Sequence, residues 1–298
     1  MSQGSSGELP GYLAAFTVSV IWGLSFVAAR MVLSTLSPIL LATLRFVLAS
    51  LIFMPVILRE IRARSGVDGK ELRELALMGL LSVSVYFWLQ YTGVKYAGAG
   101  ISALLVVGFI PILTGVASSL LVGEGLGRRE TAGALLGFMG VALVALPGLA
   151  LDFDPLFLIG VVCLLLNAVC WASYSALSRR LMRRLDRPLL VTSYVTVLGT
   201  LALLPMSATS DWDSVLRLQP LQWASVLYLA LVCSGLGYFL WNYALSRLEP
   251  VRAAIWLYME PVVAFIGEAL IFRQMPPALT IVGGLLIVAG AMTVSIRR

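Results

Sequence analysis

Glu260, Pro261 and Glu268 stand within the apolar stretch 259–268, so two carboxylates and a proline interrupt an otherwise hydrophobic run. In a bilayer a proline frees a backbone carbonyl and an ionisable side chain is costly, so both belong where a helix faces protein or a watery cavity. A carboxylate beside an unpaired carbonyl could receive the ammonium of an amino acid or carry a proton. The chain has no histidine, which excludes a His-based triad, a HExxH zinc site and a histidine relay, and leaves proton chemistry to Glu or Asp.

Glu260 comes about eight residues into its apolar run, or roughly 12 Å at 1.5 Å per residue, which is near the midplane of a hydrocarbon core about 30 Å thick. Arg45 is the basic residue that falls inside a span. It lies seven residues after Pro38, about 10 Å beneath the outer surface, and Glu268, five residues before Arg273, sits at a similar depth. The two are expected to form a charge pair near the outer mouth of a cavity, with snorkelling of Arg45 to the headgroups as the alternative.

Amides and aromatic rings crowd the same spans. Tyr86, Trp88 and Tyr91 accompany Gln90, while Trp171 and Tyr174 accompany Asn167. Tyr238, Trp241 and Tyr243 surround Asn242, and Trp256 and Tyr258 precede Glu260. Trp and Tyr at span ends usually form interfacial belts, the reading taken for Trp212 and Trp223, but Asn and Gln in apolar helices need partners and so turn inward. The candidate substrate-binding residues are therefore Trp22, Tyr86, Gln90, Asn167 and Trp171, with Tyr174, Tyr238, Asn242, Trp256 and Glu260. An apolar pocket with a few convergent polar groups suits a small amphipathic solute.

The elements that must hold these residues are membrane spans. The 298 residues are 60% hydrophobic and 12% charged, against about 45–50% and 25% in ordinary soluble domains. Ten apolar stretches of roughly 20 residues fit a hydrocarbon core: 12–33, 38–58, 75–95, 100–122, 131–147, 156–178, 188–206, 221–245, 252–272 and 278–296. The stretch before residue 12 lacks a basic segment and the run after it is too long for a signal peptide, so it reads as the first span. Cys163, Cys170 and Cys233 lie in apolar runs at a spacing that fits neither a disulfide framework nor a zinc site.

Pro111 lies 150 residues before Pro261, and Gly133 and Gly140 keep that offset to Gly283 and Gly290. The chain reads as a duplication, 1–149 and 150–298, with helix breaks at Pro111 and Pro261 and glycine stripes for close helix packing. Five spans per half is an odd number, so the second half is inverted relative to the first, the design of secondary transporters. Sixteen of the 21 basic residues fall in one alternating set of loops, including an Arg179–Arg187 loop, against four (Arg30, Lys95, Arg217 and Arg273) in the other. That asymmetry places both termini in the cytoplasm, and it accounts for the +6 net charge without nucleic acid.

Three stretches together resemble the ten-helix, EamA-type branch of the drug/metabolite transporter superfamily. They are Ile21-Trp22-Gly23-Leu24-Ser25-Phe26 with Arg45-Phe46; Pro111 with Gly123-Glu124-Gly125-Leu126 and Gly133 to Gly140; and Asn242-Tyr243-Ala244-Leu245 with Pro261 and Gly283 to Gly290. Within it the sequence is most similar to bacterial aromatic amino acid exporters. The resemblance implies an all-α bundle with a central cavity, exporting amino acids or related metabolites by alternating access from the bacterial inner membrane. One departure stands out: where Gly123-Glu124 follows Pro111, the second half has Arg273-Gln274, and its acid is displaced to Glu268.

The expected partners are a small-molecule substrate and the lipid bilayer, with no nucleic acid and no cofactor, in a monomer or a homodimer. The alternatives are a multidrug or other metabolite exporter of the same superfamily and, against the absence of histidine and of a carboxylate-rich metal cluster, a membrane-embedded enzyme. A channel would favour like residues ringed about an oligomer axis, and a phosphorylated solute would need more cations than Arg45.

Overall fold

The computed structural model describes residues 8–63, 67–146, 155–272 and 278–295, and every regular element among them is helical. In chain order these are α1 (Leu9–Val32), α2 (Pro38–Arg62), α3 (Gly69–Gly79), α4 (Val85–Ser102), α5 (Gly108–Val122), α6 (Arg128–Ala145) and α7 (Pro155–Leu185). There follow α8 (Pro188–Leu203), α9 (Pro220–Leu227), α10 (Tyr238–Arg247), α11 (Pro250–Ala254), α12 (Met259–Phe272) and α13 (Ala278–Ser295).

Local chemistry fixes the ends. Pro10, Pro38, Pro188, Pro220 and Pro250 each stand in a first helical turn, where the missing N–H has no partner to lose and the fixed φ suits the helix. Ser37 caps α2, and Asp68 with Glu71 forms a reciprocal capping box on α3. That box starts the third span at Gly69, earlier than the expected residue 75. α5 stops at Gly123, whose φ of +74° is the left-handed conformation glycine adopts without steric cost.

The fourth span is reached without a loop. Glu74 pairs with Arg184 at 2.6 Å, the Tyr86 carbonyl accepts a bond from Asn167 Nδ2 at 2.7 Å, and Ala97 packs on Gly160, so α3 and α4 run antiparallel to α7. Glu124 and the Val122 carbonyl meet Arg179 and Arg183 near the other end of α7, so α5 runs parallel to it. The chain therefore reverses between Ala97 and Glu124 through continuous helical turns that include the π-helical stretch Ala103–Val107.

Irregular turns recur in both halves. The π-helical stretches Leu80–Ser84 and Tyr228–Gly237 join α3 to α4 and α9 to α10, and the first, shifted by 150 residues, falls inside the second. The stretch Ala103–Val107, shifted likewise, overlaps the 3₁₀ turn Ile255–Tyr258 that joins α11 to α12. The expected breaks at Pro111 and Pro261 are thus displaced. Pro261 lies in the first turn of α12 and Pro111 inside α5, and in each case the irregular turn comes just before the proline, whose missing N–H and ring clash disfavour a regular α turn there.

The Arg179–Arg187 segment, expected as a loop, is mostly helix. α7 continues to Leu185 with Arg183 and Arg184 in its last turn, where cations complement the helix dipole and where Glu124 and Glu74 pair with Arg179, Arg183 and Arg184.

The glycine stripes pack α6 against α13. A Cβ on Gly133 would stand 2.8 Å from the Gly290 carbonyl oxygen, and one on Gly140 would stand 2.6 Å from that of Gly283, so the helices touch backbone to backbone. α3 and α8 cross as closely at Gly79 and Gly199.

The outer surface is apolar, with Leu51, Leu120, Leu201, Leu270 and Leu285 all exposed. Among the described residues seven helical runs, the longest Pro155–Leu185, are long and apolar enough to cross a membrane. α6 opens on Arg128, Arg129 and Glu130, α12 has 14 residues, and the apolar part of α13 is Ile281–Val294, so these are charged or short by the same measure. Cys163, Cys170 and Cys233 are free thiols, as expected.

Candidate functional site

The centre of the bundle is a block of aromatic rings drawn from α1, α2, α4, α7 and α10. Trp171 is the hub, with ring centroids 5.1 Å from Trp22, 5.2 Å from both Tyr86 and Tyr174, 5.7 Å from Trp241 and 5.8 Å from Tyr238. Phe46 and Phe87 extend it, edge to face. Trp241, Tyr174, Tyr238 and Trp171 are buried. Such edge contacts each add about 0.5–1.5 kcal/mol beyond burial, which holds the block rigid.

Some polar groups of the block are fully used. The Trp22 indole donates to the Cys233 carbonyl at 3.1 Å, and the Tyr238 hydroxyl donates to the Ser82 carbonyl at 2.7 Å, each reaching the π-helical stretches where carbonyls are displaced. Asn242 is saturated: Oδ1 accepts from Tyr174 and Ser178, and Nδ2 donates to Thr192 and to the Tyr238 carbonyl. In this conformation Asn242 ties α7, α8 and α10 together. Asn242→Ala leaves buried hydroxyls unpaired, at about 1–3 kcal/mol, and should lower the melting temperature in detergent; an unchanged melting temperature would contradict this role.

Other polar atoms are left over. Asn167 Oδ1, the Trp171 and Trp241 indole nitrogens and Gln90 Oε1 are buried without a hydrogen-bond partner. Gln90 follows Tyr86 by four residues, so the two share a face of α4. Buried polar groups are rarely left unpaired in native proteins; these four lie on or beside the aromatic block, while the Thr114, Ser118 and Thr196 hydroxyls are unpaired elsewhere among the described residues.

Two charged groups lie near the block. Arg45 on α2 is 7% exposed. It donates from Nε to Ser234 Oγ at 2.8 Å, reaches Tyr91, and lies 5.1 Å and 5.2 Å from the ring centres of Phe46 and Phe87. It turns inward, so the snorkelling alternative is not what the structure has. Glu260 on α12 is 8% exposed and has no hydrogen bond or ion pair among the described residues. Tyr86 and Cys233 each lie within electrostatic range of both Arg45 and Glu260, so the two charges share the same neighbours. α12 approaches α1 closely here: a Cβ on Gly23 would be 2.9 Å from the Glu260 carbonyl oxygen. The side chain of Glu268 lies outside the described residues, and among those described no carboxylate bonds Arg45.

Trp256 stands apart, four residues before Glu260, edge-on to Phe16 at 5.6 Å with its carbonyl accepting from Ser19 and its indole nitrogen unpartnered. Trp88 is 51% exposed and faces outward. Tyr258 is a tie rather than a lining residue, donating to the carbonyls of Gly108 and Ala134.

Ion-pair clusters close the end that carries the arginines. Arg179 pairs with Glu124 and donates to the Leu245 and Ser246 carbonyls, joining α5, α7 and α10. Arg252 meets Glu8, Glu130 and Glu249, joining α1, α6 and α11. Sequence reasoning did not single out Glu130 or Glu8, which lie far from Arg252 along the chain and belong to no local pattern.

Among the described residues no His, Cys, Asp and Glu grouping could hold a metal. The EamA-like transporter family model matches residues 9–146 and again 158–296. An uncharacterized transporter of Archaeoglobus fulgidus is 28% identical over 96% of this chain and 97% of its own length. A probable amino-acid metabolite efflux pump of Salmonella typhimurium is 28% identical over 94% and 92%. A solved crystal structure superposes with a TM-score of 0.77 at 23% identity, over 95% of each chain. Its apolar spans make this a multi-pass membrane protein, and with the family model matched twice along its length the chain belongs to the EamA-like transporter family.

Proposed function

We propose that the protein is a secondary transporter of the inner membrane that exports amino acids, aromatic ones included, or related small metabolites by alternating access. The observation that carries this reading is the aromatic block with unpartnered Asn167, Trp171, Trp241 and Gln90 atoms, near buried Arg45 and unpaired Glu260. A zwitterion with an apolar side chain matches that arrangement: its ammonium to Glu260, its carboxylate toward Arg45, its side chain among Trp22, Trp171 and Tyr86. Glu260, having no protein partner, changes charge state as substrate or proton arrives and leaves. The relative named as an amino-acid metabolite efflux pump supports the same class. The multidrug alternative draws on the same aromatic walls but has no use for two opposed charges.

The inverted 5+5 arrangement, 1–149 and 150–298, is supported by reciprocal contacts. Gly133 touches Gly290 while Gly140 touches Gly283, and the 150-residue shift exchanges these pairs, as a two-fold axis requires. Ser50 bonds Thr200, its own counterpart at that shift. The axis lies in the membrane plane when the halves are inverted.

Uptake of a panel of labelled amino acids into proteoliposomes, with and without a proton gradient, tests the function: gradient-stimulated, saturable uptake is expected, and no uptake of any amino acid would overturn it. Both termini and the Arg179–Arg184 helix end are placed in the cytoplasm by the charge asymmetry. In a cysteine-free background, cysteines at Asp152 and Asp186 should be labelled from opposite sides of the membrane; labelling from one side would sink the topology.

A further inference from the structure

We propose that the cleft between the ends of α2, α8 and α10 is a binding site for an anionic phospholipid of the arginine-rich leaflet. The cleft has a volume of about 470 Å³ and is lined by Val56, Arg59 and Glu60, by Pro188, Leu189 and Leu190 with the neighbouring Arg187, and by Phe239 and Tyr243. That volume is in the range of small-molecule sites, about 300–1,000 Å³. Its chemistry is two-sided. The wall is apolar and opens on a face where Pro55 and Leu189 are exposed, so acyl chains meet hydrocarbon contacts rather than water. The rim is cationic.

Three guanidinium groups border that rim against one carboxylate. Arg187 pairs with Glu60 at 2.6 Å, Arg247 stacks over the Tyr243 ring at 5.4 Å, and Arg59 is exposed without an ion-pair partner among the described residues. The excess positive charge is complementary to a phosphodiester. The first turn of α8 adds to it: its N-cap, Arg187, gives no side-chain cap and Pro188 has no N–H, and Leu189 and Leu190 of that uncapped turn line the cleft. A headgroup phosphate at Arg59 and the start of α8, with an acyl chain along Val56, Leu189 and Phe239, satisfies both sides at once. A soluble anion would use the rim alone. Only the identity of the leaflet rests on the proposed orientation.

Native mass spectrometry of the purified full chain in mild detergent, titrated with phosphatidylglycerol, phosphatidylcholine or glycerol phosphate, tests this. Phosphatidylglycerol should be retained in preference to phosphatidylcholine, and glycerol phosphate should not compete. Arg59→Gln should weaken phosphatidylglycerol binding about fivefold, the effect of one basic residue near a charged headgroup. Leu189→Trp, which fills the apolar wall, should expel both lipids. Arg128→Gln removes an exposed cation on another helix and should change nothing. Equal retention of the two lipids, competition by glycerol phosphate, wild-type binding by both cleft variants, or an equal loss in Arg128→Gln would each overturn the proposal.

Discussion

Glu260→Gln is expected to lower amino acid export at least about thirtyfold while leaving the protein folded, because truncating one partner of a buried charge interaction costs about 2–5 kcal/mol and each 1.36 kcal/mol is tenfold in rate. Gln keeps the shape and hydrogen-bonding capacity of Glu and removes the charge alone. Glu260 has no hydrogen bond or ion pair among the described residues, so the substitution breaks no structural tie that could be mistaken for a functional one. The loss should therefore appear in transport and not in melting temperature. A well-folded variant that exports at the wild-type rate at every pH would show that Glu260 serves packing only.

Gly140→Leu should cost most of the folded protein. A Cβ alone at this position would stand 2.6 Å from the Gly283 carbonyl oxygen and 2.9 Å from the Ile287 amide nitrogen, and backbone atoms of a packed helix cannot turn aside as a side chain can. Overpacking against yielding neighbours costs about 1–3 kcal/mol, and here the neighbours do not yield. Gly290→Leu, at the equivalent position of the second half, meets the Gly133 carbonyl oxygen at 2.7 Å and should be as damaging. Gly284→Ala meets only Val262 methyls at 3.5 Å and 3.8 Å and should be tolerated. Size-exclusion profiles in detergent read all three. Normal folding of the Gly140 and Gly290 variants would contradict the α6–α13 contact, and loss in all three would show that any added carbon is harmful there.

Much of this was legible in the sequence, for reasons particular residues make plain. Proline and glycine act through the backbone, so their spacing showed the helix starts, the glycine contact and the 150-residue register before any side chain was placed. Apolar run length gave seven of the ten expected spans but not their joints. The reversal after Ala97 is made of helical turns, and an apolar sequence carries no mark that separates a π turn from an α turn. The irregular stretches 80–84 and 228–237 contain Ser82, Ser84, Ser234 and Gly235, a faint signal at best.

The site was readable as a set of types but not as a geometry. In helices apolar all round, periodicity cannot tell which face turns inward; the candidate set took Trp171 and Tyr86 and left out Trp88, which is exposed, and Tyr258, which is a tie, yet only the structure gives the faces that separate them. Arg45 was found by its isolation in an apolar span. Its structural partner is Ser234, a residue 189 positions away that only the fold could name. The arginines beyond residue 178 read as a loop because charge usually ends a span, yet Glu124 of the α5–α6 loop and Glu74 of α3 let α7 continue through them.

Equilibrium binding of a labelled aromatic amino acid to the purified protein tests the central claim most directly, that the site formed by Trp171, Arg45 and Glu260 receives the substrate. The wild-type protein should bind it saturably with a change in tryptophan fluorescence, Trp171→Phe should keep binding but lose much of that change, and Glu260→Gln should abolish binding. Saturable binding that is unaltered in both variants would contradict the site.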